Sequence, residues 1–175
     1  NDPHQKIAMK VIADHIRAIT VMISDGILPS NEGRGYVLRR ILRRAVRFGR
    51  LLGINDLFLS SLVDTVMGIL GEEYPELREH EELIKKVIDT EEKQFSATLA
   101  QGMELLNQLM ADAGSEKKLA GKDVFKLYDT YGFPVELTEE IAQENGMTID
   151  QGGFDAAMKD QQERARAARA DVSAK

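Results

Sequence analysis

Residues 35–53, GYVLRRILRRAVRFGRLLG, decide the fold class. On a wheel at about 100° per residue, Arg39, Arg50, Arg43, Tyr36, Arg47, Arg40 and Arg44 fall in that order across a sector of about 140°. Val37, Phe48, Ile41, Leu52, Ala45, Leu38, Leu42 and Val46 fill the span from about 160° to 340°, with Leu51 alone on the boundary. A helix so divided buries one side and offers a cationic side to something else. Just before it, LPSNEGRG (residues 28–35) gathers Pro29, Ser30, Asn31, Gly33 and Gly35, which suit a loop and the cap of the helix that follows.

Helical patterning extends outward in both directions. Residues 7–24 carry Ile12, Ile16, Ile19 and Ile23 at helical intervals and end at Asp25-Gly26. Residues 57–70 read as another buried helix, closed by the break around Gly71 and Pro75. From about 76 to 113 no proline interrupts Ile84, Ile88, Phe95, Leu99, Met103, Leu106 and Met110, which predicts one long packed helix. The charged segment AGSEKKLAGKD (residues 113–123) reads as a connection, with a boundary near 115. The expected domains are therefore a helical subdomain at 1–115 and a smaller one at 116–175. In the second, Phe125, Tyr128, Tyr131 and Phe133 crowd a short helix that Gly132 and Pro134 stop. A helix over about 136–144 follows, and a last one from about 154 runs into QQERARAARA, whose sparse apolar face predicts fraying. No alternating strand stands out, so the expected fold is all-α: two helical subdomains with a long central helix.

Charge and composition exclude much. The chain of 175 residues has a net charge of -6, yet Arg34 to Arg50 holds seven arginines and no other charged residue, leaving -13 on the remainder. Such segregation marks one cationic surface on a body that repels polyanions elsewhere. With no cysteine, and with His4, His15 and His80 outside any ligand spacing, neither thiolate chemistry nor a metal site is expected. No apolar run is long enough to span a bilayer, and no leader pattern opens the chain, so an excised piece of a longer cytoplasmic protein is expected. Gly33-Arg34-Gly35 lacks the spacing of a phosphate-binding loop and no strand precedes it, which rejects a nucleotide pocket.

Two stretches carry a resemblance. HIRAITVMISDGILPSNEGRGYVLRRILRRAVRFG (residues 15–49) and FKLYDTYGFPVELT (residues 125–138) resemble signature segments of the alanyl-tRNA synthetase family, and the similarity extends more thinly over about 8–168. The resemblance implies the middle, helical tRNA-recognition region of an aminoacyl-tRNA ligase. The catalytic domain would precede it in the same chain and the editing domain would follow. This fragment should then be inactive alone and hold no cofactor, with ATP, Mg and Zn belonging to other domains of the full-length enzyme.

The family reads a G·U wobble pair in the tRNA(Ala) acceptor stem, and the residues it uses match Asn31 and Asp129. Around them, Arg39, Arg40, Arg43, Arg44, Arg47 and Arg50 are the candidates for phosphate contact, with Arg39, Arg43, Arg47 and Arg50 the tightest cluster and Tyr36 placed to stack. Taken alone, Asn31 is as well suited to capping a helix, and Asp129 to bonding a neighbouring hydroxyl. Arginines on a solvated face would pair with acids such as Glu72, Glu73, Glu81 or Glu82. The rival function is a protein-interaction module docking its arginine helix on an acidic partner.

Overall fold

The computed structural model describes residues 2–174 and divides into two compact units, Asn1–Leu99 and Ala100–Lys175. Among the described residues are eight helices and two strands of two residues each.

The first unit begins with α1 (Pro3–Ser24), where Pro3 suits the first helical position and the Asp2 carboxylate accepts the His4 amide at 3.0 Å. Ala8, Ile12, Ile16, Ile19 and Ile23 form its single buried stripe. Against it pack α2 (Gly33–Leu51), α3 (Leu59–Leu70) and the short α4 (Pro75–Glu79). The segment expected as one helix from 76 instead breaks at His80, and α5 (Glu81–Ala111) starts anew. Ile84, Ile88, Phe95 and Leu99 of α5 are buried.

Two adjacent acids of α5 are buried as well, Glu91 and Glu92. No side chain of α3 caps its own N-terminus. The Glu92 carboxylate accepts the Phe58 and Leu59 amides at 3.2 to 3.3 Å and so satisfies donors that begin a helix without partners. Burial pushes its carboxyl above the usual glutamate range, against the opposing pull of those two amides.

The second unit holds the end of α5, then β1 (Lys118–Leu119), α6 (Gly121–Tyr131), α7 (Val135–Glu144), β2 (Thr148–Ile149) and α8 (Gln151–Ser173). The strands pair in parallel, Lys118 opposite Thr148 and Leu119 opposite Ile149. That pairing was not expected; residues 113–120 do connect α5 to α6, but the strand at Lys118–Leu119 ties them to the second unit. Leu119 is buried and its carbonyl accepts the Asp150 amide at 2.9 Å, so the boundary foreseen near 115 falls inside a packed unit. The units instead divide within α5.

The last helix also differs from expectation. It starts at Gln151, three residues before the expected start, capped by Asp150 through the Gly153 amide at 3.0 Å, and runs to Ser173. Phe154 anchors it against Phe125 and Tyr128, with ring centroids 6.2 and 5.6 Å away. From Lys159 onward every described residue of α8 is exposed. No helix among the described residues is long and apolar enough to cross a membrane.

Candidate nucleic-acid interface

The loop before α2 is built around a close approach. A Cβ on Gly35 would collide with the Ser30 side chain and the Leu28 carbonyl, so only glycine lets the loop fold back on the first turn. Ser30 secures the turn by donating from Oγ to the Glu32 carbonyl at 2.9 Å, while its amide donates to the Gly35 carbonyl at 3.1 Å. The result presents Asn31 exposed beside the N-terminus of α2.

Asn31 is not free to turn its amide. Arg39, two turns along α2, donates from Nη1 to Asn31 Oδ1 at 2.6 Å. A guanidinium only donates, so the oxygen must face Arg39 and the NH2 group of Asn31 points away as a donor. Arg39 is held in turn, its Nε donating to Glu91 Oε1 at 2.7 Å. A relay from the buried Glu91 through Arg39 thus fixes the polarity of an exposed amide.

The arginines of α2 do not form the open stripe that the wheel implied. Arg43 and Arg47 are buried, at 8% and 6% exposure. Arg43 meets Glu91 Oε1 from Nε at 3.0 Å and Nη2 at 2.9 Å, and its guanidinium lies 5.3 Å from the Phe95 ring centroid. Glu91 and Phe95 are four residues apart on α5 and so present an acid and an aromatic on one side. Phe95 was read from the sequence as a core position and Glu91 was not singled out; the acid that Arg39 and Arg43 meet is Glu91, where the sequence suggested Glu72, Glu73, Glu81 or Glu82. Arg47 and Arg44 both stack on Phe48, at 5.5 and 5.0 Å.

Arg44 also meets His15 Nε2 at 3.0 Å, a contact that requires the imidazole nitrogen to accept. Arg50 donates to the Ile54 carbonyl at 2.6 Å and closes the C-terminal end of the helix. Arg40 and Tyr36 are half-buried. The arginine left exposed is Arg34, in the first turn, whose side chain has no partner among the described residues. The wheel passed over it because it precedes the regular two-faced pattern. Proximity to the positive end of the helix, beside Asn31, was the signal that could have found it.

In the second unit Asp129 sits exposed on the last turn of α6. The helix stops at Gly132, whose φ of 71° lies in the left-handed region, and the Phe133 amide returns to the Leu127 carbonyl at 2.9 Å. Gln161 of α8 donates from Nε2 to Asp129 Oδ1 at 2.8 Å. Asp129 Oδ2 has no partner among the described residues and remains an acceptor. Gln161, thirty-two positions away, was not identified from the sequence. Asn31 and Asp129 thus belong to different units, each oriented by a second polar residue.

A cleft of about 280 Å³ in the first unit is lined chiefly by apolar side chains, among them Ile12, Ile16, Phe58, Leu62 and Val66. Among the described residues no three His, Cys, Asp or Glu side chains come together as metal ligands.

The whole chain, residues 1–175, matches the family described as tRNA synthetases class II (A). It is 55% identical over 173 residues to an alanine–tRNA ligase of Pelotomaculum thermopropionicum, covering 98% of this chain and 20% of the relative. An alanine–tRNA ligase of Bacillus velezensis is 56% identical over 173 residues, again 98% of this chain and 20% of the relative. For the Streptococcus mutans alanine–tRNA ligase the figures are 58% over 163 residues, 92% of this chain and 19% of the relative. The chain therefore spans about a fifth of the length of these relatives.

Proposed function

Because this chain belongs to the class II (A) tRNA synthetase family, within its alanyl-tRNA synthetases, we propose that it is the part of an alanine–tRNA ligase that recognises the acceptor stem of tRNA(Ala). In that role it selects the RNA to which the full-length enzyme attaches alanine with ATP. ATP, Mg and Zn then act in other parts of the longer protein, and the fragment alone activates no alanine.

The observation that carries this reading is the fixed polarity of two exposed side chains, Asn31 with its NH2 outward and Asp129 with Oδ2 unpartnered. An A-form duplex displays base edges and 2′-hydroxyls in a wide, shallow minor groove. In a G·U wobble pair the guanine amino group has lost its usual carbonyl partner and is a spare donor. A carboxylate only accepts, so Asp129 suits that group, whereas G·C engages it and A·U lacks it. A hydrogen bond to a charged partner contributes roughly 1.5 to 3 kcal/mol, enough for about tenfold to hundredfold discrimination. The outward amide of Asn31 supplies the complementary donor.

Arg34, with the half-exposed Arg39, Arg40 and Arg44, is the phosphate-contacting set that supports this reading best, and Tyr36 lies in the same stretch. Arg43 and Arg47 serve the fold instead, as their burial against Glu91, Phe95 and Phe48 supports. The rival reading, a helix docking on an acidic protein, gains no support, because the acid that the arginines pair with is Glu91 of the same chain.

The test is aminoacylation by the full-length enzyme on acceptor stems that differ only in G·U versus G·C. Asp129→Ala is expected to cut the preference for the wobble pair by about tenfold or more. Full preference in that variant removes the assignment.

A further inference from the structure

The exposed half of α8 has a sorted surface that the reading above does not use. With Gln161 as origin and about 100° per residue, Arg169, Gln162, Arg166 and Lys159 lie at about 80° to 160°. Glu163, Asp160, Asp171 and Arg164 lie at about 200° to 300°, and there Arg164 pairs with Asp160 at 2.7 Å. One acid, Asp155, shares the first sector at its N-terminal end, where it accepts from Gln151 at 3.0 Å. The side chains of Lys159, Arg166 and Arg169 have no partner among the described residues.

This stripe is about 15 Å long, ten residues at about 1.5 Å each. It flanks Gln161, whose amide holds Asp129. An RNA whose base edge reaches Asp129 would carry its backbone past α8. A stripe with three unpaired cations offers that backbone charge neutralisation with release of counterions.

We propose that the Lys159, Gln162, Arg166 and Arg169 face of α8 is a second phosphate-contacting surface, gripping the backbone of the RNA whose base Asp129 reads. The inference rests on the RNA-recognition reading above and extends it to a helix outside the arginine-rich segment. The face sets position and strength of binding and carries no base information. Lys159 is the end closest to the Phe154 anchor, so the grip starts where α8 is best held.

The test uses the full-length enzyme and measures binding of wobble and G·C acceptor-stem RNA over a range of salt. Lys159→Gln, Arg166→Gln and Arg169→Gln are combined, since glutamine favours helix and the sites are exposed. The triple variant is expected to weaken both RNAs about tenfold at low salt, with the wobble preference kept and the slope of log K against log[salt] shallower by about 2. Arg164→Gln, on the acidic flank, is expected to stay within about twofold. Unchanged RNA binding in the triple variant overturns the proposal, and does so with most force if its unfolding temperature falls, which would assign the stripe to packing against another part of the longer chain. An equal loss in Arg164→Gln overturns it too, as a generic charge effect. Asp129→Ala separates the two levels: intact wobble preference in that variant defeats the base-reading assignment, while the triple variant's affinity alone judges the α8 face.

Discussion

Two helices of this chain are rich in arginine, α2 and α8, and they use it in opposite ways. In α2, Arg39 and Arg43 converge on Glu91, and Arg43 and Arg47 are buried. In α8, Arg164 pairs only with a residue one turn away on the same helix, while Arg166 and Arg169 stand in solvent without partners. What decides between the two is whether a neighbouring element brings an acid and an aromatic ring to the guanidinium, as α5 does with Glu91 and Phe95. A count of arginines along a helix measures charge. It does not measure how much of that charge is left for a partner.

The sharpest way to break this contrast is to delete one arginine from each helix. Arg43→Ala strands a buried glutamate with half its compensation, so thermal unfolding should show a loss of about 3 kcal/mol or more. Arg166→Ala should leave stability unchanged within about 0.5 kcal/mol. Similar losses at both sites would mean that the structure misassigns which helix spends its arginines internally.

A smaller effect concerns the exposed side chain that each helix orients, Asn31 held by Arg39 and Asp129 held by Gln161. Asn31→Asp keeps an oxygen for Arg39 but removes the outward donor. It should lower discrimination between G·U and G·C stems nearly as far as Asn31→Ala, by roughly tenfold in relative kcat/KM. Retained discrimination in Asn31→Asp would mean that the oxygen, not the NH2, meets the RNA.

The smallest effect lies with the neighbour of Glu91. Glu92 is buried without a charged partner in hydrogen-bonding contact and accepts only backbone amides, and burial pushes its carboxyl above the usual glutamate range. A raised folded value means that the folded state binds the proton more readily. The stabilisation from Glu92 is therefore complete below about the unfolded value and is lost as pH rises through the folded one. Glu92→Gln keeps an acceptor for the Phe58 and Leu59 amides and removes the titration. Unfolding measured between pH 4 and 7 should show a flatter profile in that variant, with stability at pH 7 held or raised. A sharp loss at pH 7 would show that the ionised carboxylate is what α3 requires.

Much of this was legible in the residues, and the gaps have physical causes. The stripe of isoleucines in α1, the two-faced pattern of α2 and the Gly132-Pro134 stop are local features, and periodicity reads local features well. A wheel shows which side chains share a face but not what covers that face. Arg43 and Arg47 therefore looked exposed, although α5 brings Glu91, forty-eight positions from Arg43, against Arg43, and Arg47 is buried beside Phe48. The β1–β2 pair spans two residues on each side, too short for alternation to register, and its partners are thirty positions apart. The same shortfall hid the burial of Leu119 and Gly121 within the otherwise mostly exposed connection at 113–123. Asn31 and Asp129 were named through resemblance, but their polarity depends on Arg39 and Gln161, and only coordinates reveal such pairs.

In the proposed function Asp129 meets the RNA through the oxygen that Gln161 leaves open. Asp129→Asn tests it most directly, because the variant keeps its shape and an oxygen for Gln161 while the outward acceptor becomes a donor. In the full-length enzyme, the ratio of kcat/KM for G·U over G·C acceptor stems should fall toward one, since two donors now face each other across the guanine amino group. A ratio equal to that of the unmodified enzyme would contradict the account.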